Sequence, residues 1–401
     1  MKYLRYITAF ILITTAISCV KKFLPETGTD PDLYVVEGLI TDQPGSQGVR
    51  VSRSVPIGKS SDLVPINGCT VWITNDLGTT YPLTGASQGM YFTRNDFRAV
   101  VGRKYSVNIQ VKRYDAPARK TVIDLIQSLP EEMLSVPPID SLYYEKVQLT
   151  AENGFPIEGE GCQVLLNTSD PANKSRFFRW DYSETWKIQA PTYQKSVNKV
   201  CWVTNNSDEI NTKAVTGLSE NKIKALKVNF ISNLSDRLSV RYRIQVNQYS
   251  LNENEFNYWS DLEKITQQSG NFYDITPASV NGNLFIVGNP NLQVLGYFSV
   301  SAKSSKVMYI DDYFKKLVDP YRDCVKDSVF RVRDSPFPPS GLLEYAGSTY
   351  WIVEVQSGYI ITTDNKGCID CTVRGTNVKP DFWKEEYETL KSNNQDQLHR
   401  E

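Results

Sequence analysis

Seven cysteines and one histidine hold most of the side-chain chemistry open to this 401-residue sequence. The histidine is His399, inside a polar C-terminal tail. A Ser-His-Asp or Cys-His pair needs an imidazole held by a packed scaffold, and zinc hydrolases and most transition-metal sites use histidine as a ligand. A single imidazole so near the end of the chain suits neither, so histidine-dependent catalysis is excluded. Paired carboxylates can cleave a glycoside without histidine, and Asp311-Asp312 and Asp208-Glu209 are the pairs to nominate. Adjacent residues on a strand point to opposite faces, however, so such doublets rarely converge on one substrate. No Walker-type, dinucleotide-binding, nucleophile-elbow or calcium-loop motif is present. The expectation is a non-enzymatic protein with no cofactor and no metal.

Cys19 is the most informative thiol. It closes Ala16-Ile17-Ser18-Cys19, behind a short apolar run that starts after Lys2 and Arg5. That is the layout of a secretory signal peptide, and a cysteine directly after the small residue predicts a bacterial lipoprotein signal. The apolar run is about a dozen residues, short of the roughly 20 that a membrane-spanning helix needs. The sequence therefore predicts a signal peptide over 1–18 and lipidation at Cys19, whose acyl chains moor the chain to a membrane. The competing reading is an ordinary secreted protein in which Cys19 is incidental. Residues 19–31, broken by Pro25, Gly28 and Pro31, read as a tether.

An exported chain meets oxidising conditions, and an even number of remaining cysteines favours disulfides. Besides Cys69, the candidates are Cys162, Cys201, Cys324, Cys368 and Cys371; the sequence does not choose among their pairings. Cys368-Ile369-Asp370-Cys371 has three readings. A redox site wants the start of a helix in a βαβ setting, a zinc knuckle wants a second C-x-x-C, and a structural staple wants neither.

The elements that would position these groups are mostly strands. Apolar residues make up 40% and charged residues 22%, which fits a globular chain, and a net charge of −1 argues against a nucleic-acid partner. Short alternating segments from Leu33 to Pro130, separated by turns such as Asp42-Gln43-Pro44-Gly45 and Asn75-Asp76-Leu77-Gly78, predict an immunoglobulin- or transthyretin-like sandwich over 32–130. Its clearest strand is Lys104–Lys112, with Tyr105, Val107, Ile109 and Val111 on one face, and Gly102-x-x-Tyr105 resembles the tyrosine of a sandwich corner. Pro130 to Pro138 reads as a hinge. A second β-rich domain over 139–383 follows, interrupted by one helix over about 252–268: Asn252 caps it, Glu255 stands at the capping-box position, and Phe256, Trp259, Leu262 and Ile265 form an apolar stripe. The stripe docks the helix on a sheet, or alternatively Tyr258 or Trp259 forms a ligand platform. Loop and sheet-surface aromatics Trp72, Trp186, Trp202 and Tyr193 are general candidates for ligand contact. Residues 384–401 are a polar tail.

Taken in order, these landmarks resemble a family. Val36-Glu37-Gly38-Leu39-Ile40-Thr41-Asp42, Ile139-Asp140-Ser141-Leu142, Phe178-Arg179-Trp180, Cys201-Trp202, Gln248-Tyr249-Ser250-Leu251, Asn271-Phe272-Tyr273-Asp274, Asn281-Gly282-Asn283, Val294-Leu295-Gly296-Tyr297-Phe298, Cys368-Ile369-Asp370-Cys371 and Pro380-Asp381-Phe382-Trp383 follow one another as in the domain of unknown function 4249 family. The resemblance implies an outer-membrane lipoprotein of Bacteroidetes-type bacteria. Members of the family are commonly associated with TonB-dependent, SusC-like β-barrels, and with the anchor, the sandwich and the lack of catalytic histidine this predicts an accessory protein that binds an unidentified nutrient ligand; a structural or adhesive envelope protein is the alternative. The resemblance carries over no catalytic or binding residue. Val20-Lys21-Lys22 stand where surface-displayed members of such bacteria often have acidic residues, which leaves open the side of the membrane that the protein faces.

Overall fold

Period-two alternation decides where each strand of the first unit packs. In the computed structural model, which describes residues 33–385 apart from 56–62, 116–118, 151–155, 191–197, 217–219, 269–279, 290–291, 320, 322–327, 332–350, 357–358 and 364, Tyr105, Val107, Ile109 and Val111 are all buried. Cys19, Tyr193 and Cys324 lie outside the described residues, as do the expected signal peptide, the tether and all but the start of the tail.

The first unit contains β1 (Tyr34–Ile40), β2 (Gly48–Arg53), β3 (Val64–Pro65), β4 (Thr70–Asn75), β5 (Thr80–Gly85), β6 (Met90–Phe92), β7 (Lys104–Asp115), β8 (Lys120–Ser128) and β9 (Glu131–Glu132). The Tyr105 hydroxyl accepts the Val100 N–H at 2.9 Å, as the corner tyrosine predicts. The connector expected to be a hinge is instead tied down. β9 pairs with β7, Met133 is fully buried, and the Pro137 carbonyl accepts the Gln248 amide at 2.8 Å.

From there the chain runs through β10 (Ile139–Thr150), β11 (Pro156–Ser169), β12 (Phe177–Gln189), β13 (Val200–Asn206), β14 (Asn211–Ala214), β15 (Lys222–Ile231), β16 (Arg241–Leu251), α1 (Glu253–Gln268), β17 (Leu284–Ile286), β18 (Val294–Val300), β19 (Lys303–Ile310), β20 (Ser328–Arg331), β21 (Trp351–Gln356) and β22 (Tyr359–Thr363), and all of these but β17 and β18 make up the second unit. A three-stranded sheet (β10-β11-β15) and a five-stranded one (β13-β12-β16-β19, with β14 on β12) share a core that includes Cys162, Val164, Leu166, Phe178, Trp180, Tyr242, Ile244 and Val246. Even-numbered residues of β12 and β16 fill it. Odd-numbered ones from Arg179 to Gln189 and from Arg241 to Asn247 are polar and form the opposite face.

β17 and β18 belong elsewhere, and the contiguous sequence reading did not anticipate this. β18 pairs in parallel with β1, from Tyr34↔Val294 to Ile40↔Val300, and β17 pairs with β8. The first sheet therefore runs β17-β8-β7-β4-β5-β6-β2-β1-β18, and its two edges touch where Phe285 bridges Gln293. The result is a nearly closed, barrel-like sandwich. Two glycines make the closure possible. A Cβ on Gly282 would lie 1.8 Å from the Gly296 carbonyl oxygen, and one on Gly296 (φ +93°) would lie 2.0 Å from that of Val36.

Among the candidate cysteines, Cys201 is bonded to Cys371 across 170 residues, and Cys368 is disulfide-bonded as well. The C-x-x-C thus acts as a staple. It holds two short 3-10 turns against β13, where Trp202 bridges Thr376 and packs edge-on to Trp383. Cys162, expected to be a disulfide candidate, is a free thiol sealed in the core, and burial pushes its pKa up to about 12. Near neutral pH such a thiol stays protonated, and the thiolate is the nucleophilic form.

Cys201→Ser/Cys371→Ser should lose about 2–5 kcal/mol of stability, because the bridge closes a long loop; denaturant unfolding followed by tryptophan fluorescence reads this directly. Maleimide should label Cys162 only after unfolding, and labelling of the native protein there would contradict the sealed core.

Candidate functional site

The turn after β1 is built from Thr41-Asp42-Gln43-Pro44-Gly45-Ser46-Gln47, and its side chains close it on itself. The Gln47 amide donates to the carbonyls of Gln43 (2.8 Å) and Thr41 (3.2 Å), and its oxygen accepts the Thr41 N–H at 2.6 Å. Gly45 takes φ +135°, a conformation costly for any side chain. The turn is then locked to both units. Asp42 accepts the Lys303 N–H at 2.8 Å, and Gln43 donates to the Lys303 carbonyl at 3.0 Å. On the other side Arg98 Nε donates to the Asp42 carbonyl at 2.7 Å, and Thr93 Oγ1 accepts the Gln47 N–H at 3.0 Å.

Two hollows adjoin this turn. The larger, about 420 Å³, is lined by Thr80, Tyr81, Pro82 and the 93–98 loop. Its apolar part is Phe97 against the edge of Tyr81, with ring centroids 5.1 Å apart. Its polar part is Arg94, Arg98 and Asp96, with Arg94 and Asp96 paired at 3.1 Å in solvent. This is the size, and the combination of apolar surface with a few polar groups, of a small-molecule site. The smaller hollow, about 230 Å³, lies between the turn and the second unit, with Tyr249 and Lys303 on its far wall. From Tyr249 a row of planar polar side chains continues along the outer face of β16. Arg243 donates to Gln245 (2.9 Å), Gln245 to Asn247 (3.3 Å) and Asn247 to Asp181 (2.7 Å), while Arg179 lies between the rings of Tyr249 and Trp259.

Beneath this face, two carboxylates are sealed where the units meet. Glu131 accepts from Asn252 (2.6 Å), Tyr297 (3.0 Å) and Asn283 (3.4 Å). Asn283 also grips β18, exchanging hydrogen bonds with the Phe298 main chain at 2.9 and 3.0 Å. Glu255 is fully buried on α1 and accepts from Ser301 (3.0 Å) and Trp259 (3.4 Å). Burial pushes both carboxyls above their ordinary range, and these hydrogen bonds only partly offset it. Neither carboxylate lines either of these two hollows.

The nominated carboxylate doublets do not converge. Asp311 pairs with Arg241 at 3.1 Å and Asp312 with Lys146 at 2.8 Å; hydrogen bonds from Lys146 and Tyr144 hold Asp312 below the usual range. Asp208 and Glu209 are solvated. Asn252 caps α1 through the Glu255 N–H at 2.9 Å, but the Glu255 side chain turns inward instead of completing a capping box. Phe256 packs on Phe177, Tyr258 on Tyr297 and Trp259 on Arg179, so the aromatic stripe docks the helix. Trp186 and Trp202 are buried, whereas Trp72 is half-buried on the outside of the sandwich. Sequence reasoning missed Tyr81, Arg94, Phe97 and Arg98, which carry no periodic signal, and it missed Glu131. Among the described residues no group of three or more His, Cys, Asp or Glu is placed to hold a metal.

Two β cores joined by one sealed polar seam, with a curled first sheet, define a two-unit β protein. Residues 20–307 match the model of DUF4249, a domain of unknown function, and the chain belongs to that family. No curated protein matches it. Among solved structures, the crystal structure of a DUF4785 family protein from Legionella pneumophila is similar at a TM-score of 0.20 and 10% identity, over 54% of this chain and 52% of that one. The chain spans about half the length of that protein, and a likeness of this size carries nothing about fold or function.

A carboxyl whose folded pKa exceeds its unfolded value weakens folding as pH rises past the unfolded value toward the folded one. Acidifying from neutral toward pH 5 should therefore stabilise the protein through Glu131 and Glu255, and Glu255→Gln should flatten that slope in thermal melts. Glu131→Ala, which strands Asn252, Asn283 and Tyr297, should cost about 1–3 kcal/mol.

Proposed function

We propose that this chain is a lipid-anchored outer-membrane protein without enzymatic activity. It binds a small ligand in the hollow beside the 93–98 loop, as an accessory partner of a TonB-dependent, SusC-like transporter. The observation that carries this reading is the contrast between the open hollow and the sealed carboxylates. The hollow offers guanidinium groups and aromatic edges, which recognise and orient. The carboxyls with raised pKa, the groups best suited to acid–base work, are buried and line neither of the two hollows. Two arginines beside an apolar floor suit a ligand that carries a carboxylate or phosphate on an apolar body.

The anchor and the transporter rest on Cys19 and on the family resemblance. Lipidation would leave the body of the protein in water while two or three acyl chains hold it to one leaflet. Loops displayed by a rigid sheet are the usual place for recognition, and the 93–98 loop is tied at both ends to the locked turn.

Affinity purification of the full chain from mildly solubilised membranes should recover a β-barrel transporter, and Cys19→Ser should abolish palmitate incorporation and release the chain from membranes. Native mass spectrometry of the purified protein should show a small molecule that Arg94→Ala/Arg98→Ala loses. Purification without any barrel, with no molecule retained, would instead favour a structural or adhesive envelope protein.

A further inference from the structure

The described chain begins at Leu33, and β1 runs away from it, so the sandwich has an end at which any N-terminal anchor must attach. Leu33 is fixed there by Ser54, whose N–H donates to the Leu33 carbonyl at 2.9 Å. The end of β2 is here too (Tyr34↔Arg53), with β3 beside it (Arg53↔Val64) and the start of β18 (Tyr34↔Val294). The outer half of the β7–β8 hairpin joins them, because the Tyr34 hydroxyl donates to Asp124 at 2.7 Å and Arg113 holds the same carboxylate at 2.6 Å. Both hollows lie at the opposite end, where β1 finishes and the turn begins.

The side chains exposed at the anchor end are of a particular kind. Tyr114 is 65% and Ile123 58% exposed, on adjacent strands and one face of the hairpin; Val64, beside the end of β2, and Val287, beside Leu125 of β8, are also exposed. Lys112, cross-strand partner of Ile123, and Arg119 and Lys120 near the hairpin tip are exposed as well. Of the acidic residues on the hairpin, Asp124 is occupied by Arg113 and Tyr34, and Asp115 stands cross-strand from Lys120, which leaves Lys112 and Arg119 in excess. Aliphatic side chains, a tyrosine and lysines with long stems are what the boundary between lipid headgroups and acyl chains accommodates best. Residues 20–32 can span at most roughly 3.5 Å each, so a bilayer holding Cys19 stays within reach of this surface. Lys21 and Lys22 add the same sign of charge beside the anchor.

We propose that this end of the sandwich, centred on Tyr114 and Ile123 with Lys112, Arg119 and Lys120, rests on the headgroup layer of the leaflet that holds Cys19, with anionic phospholipid as its ligand. The proposal depends on the lipidation reading above. The surface needs little affinity of its own, because a short tether gives it an effective concentration on the order of millimolar. The acyl chains supply the attachment, and the surface sets how the body stands on the leaflet. Held this way, the protein stands its hollows about a strand's length from the membrane.

The full lipidated chain is reconstituted into vesicles of phosphatidylethanolamine and phosphatidylglycerol with brominated acyl chains, and tryptophan emission is compared with that in unbrominated vesicles. Bromine should quench the added emission of Ile123→Trp by about twofold or more and leave that of Leu77→Trp, exposed at the opposite end, unchanged. Lys112→Glu/Lys120→Glu, or replacement of the anionic lipid by phosphatidylcholine, should restore the Ile123→Trp emission while the chain still floats with the vesicles. A floating chain with no quenching at position 123, or with equal quenching at 77, overturns this proposal alone. A chain that does not float overturns the lipidation reading and this proposal with it.

Discussion

The parallel pairing of β18 with β1 is the constraint on which the rest of the molecule depends. One strand serves two structures at once. Val294, Phe298 and Val300 complete the core of the first sheet, while Tyr297 reaches Glu131 and Ser301, just beyond the strand, reaches Glu255 of α1. The pairing requires the backbone to pass with no side chain intervening, which Gly296 and Gly282 permit. The two cores are therefore not beads on a string. Disrupting the seam would loosen the edge of the sandwich, and opening the sandwich would strip α1 of its partners.

The seam is expensive chemistry for a structural purpose. A carboxyl taken out of water loses its hydration, and hydrogen bonds from neutral donors replace only part of it. Glu131 collects donors from three separate places in the chain, Asn252 at the start of α1, Asn283 before β17 and Tyr297 in β18. A hydrophobic residue there could fill space but could not specify which three segments meet. In the second core Glu184 does something similar, taking Arg237, Tyr242 and Asn229 together.

How much of this was legible in the sequence follows from the range of each signal. Alternation in Lys104–Lys112 and β16, the Asn252 cap, the stop at Ser269-Gly270 and the Asp42 to Gly45 turn are written within a few residues, and those within the described residues are found where the pattern puts them. Pairing partners are not local. Nothing in Val294-Leu295-Gly296-Tyr297-Phe298 announces that it lies beside Tyr34–Ile40, so a contiguous domain boundary was the natural and incomplete reading. Short motifs such as Asn281-Gly282-Asn283 were visible as landmarks, but their cause, a glycine without room for a Cβ and an asparagine that imitates a strand, needs the fold. The hollow was the least legible. Tyr81, Phe97 and Arg98 are ordinary residues until the turn brings their segments together, and the choice of Cys371 as partner for Cys201 needs geometry rather than counting.

A late strand that completes an early sheet also sets an order of events for a chain made from its N-terminus. Until about 300 residues have emerged, β1 keeps one side without its mate, a row of backbone amides and carbonyls ready to accept any extended peptide. Contacts this distant in sequence form slowly, since a long loop must close first. The newborn polypeptide thus spends its early life with an open seam, and an escort that shields extended segments would matter most during that interval.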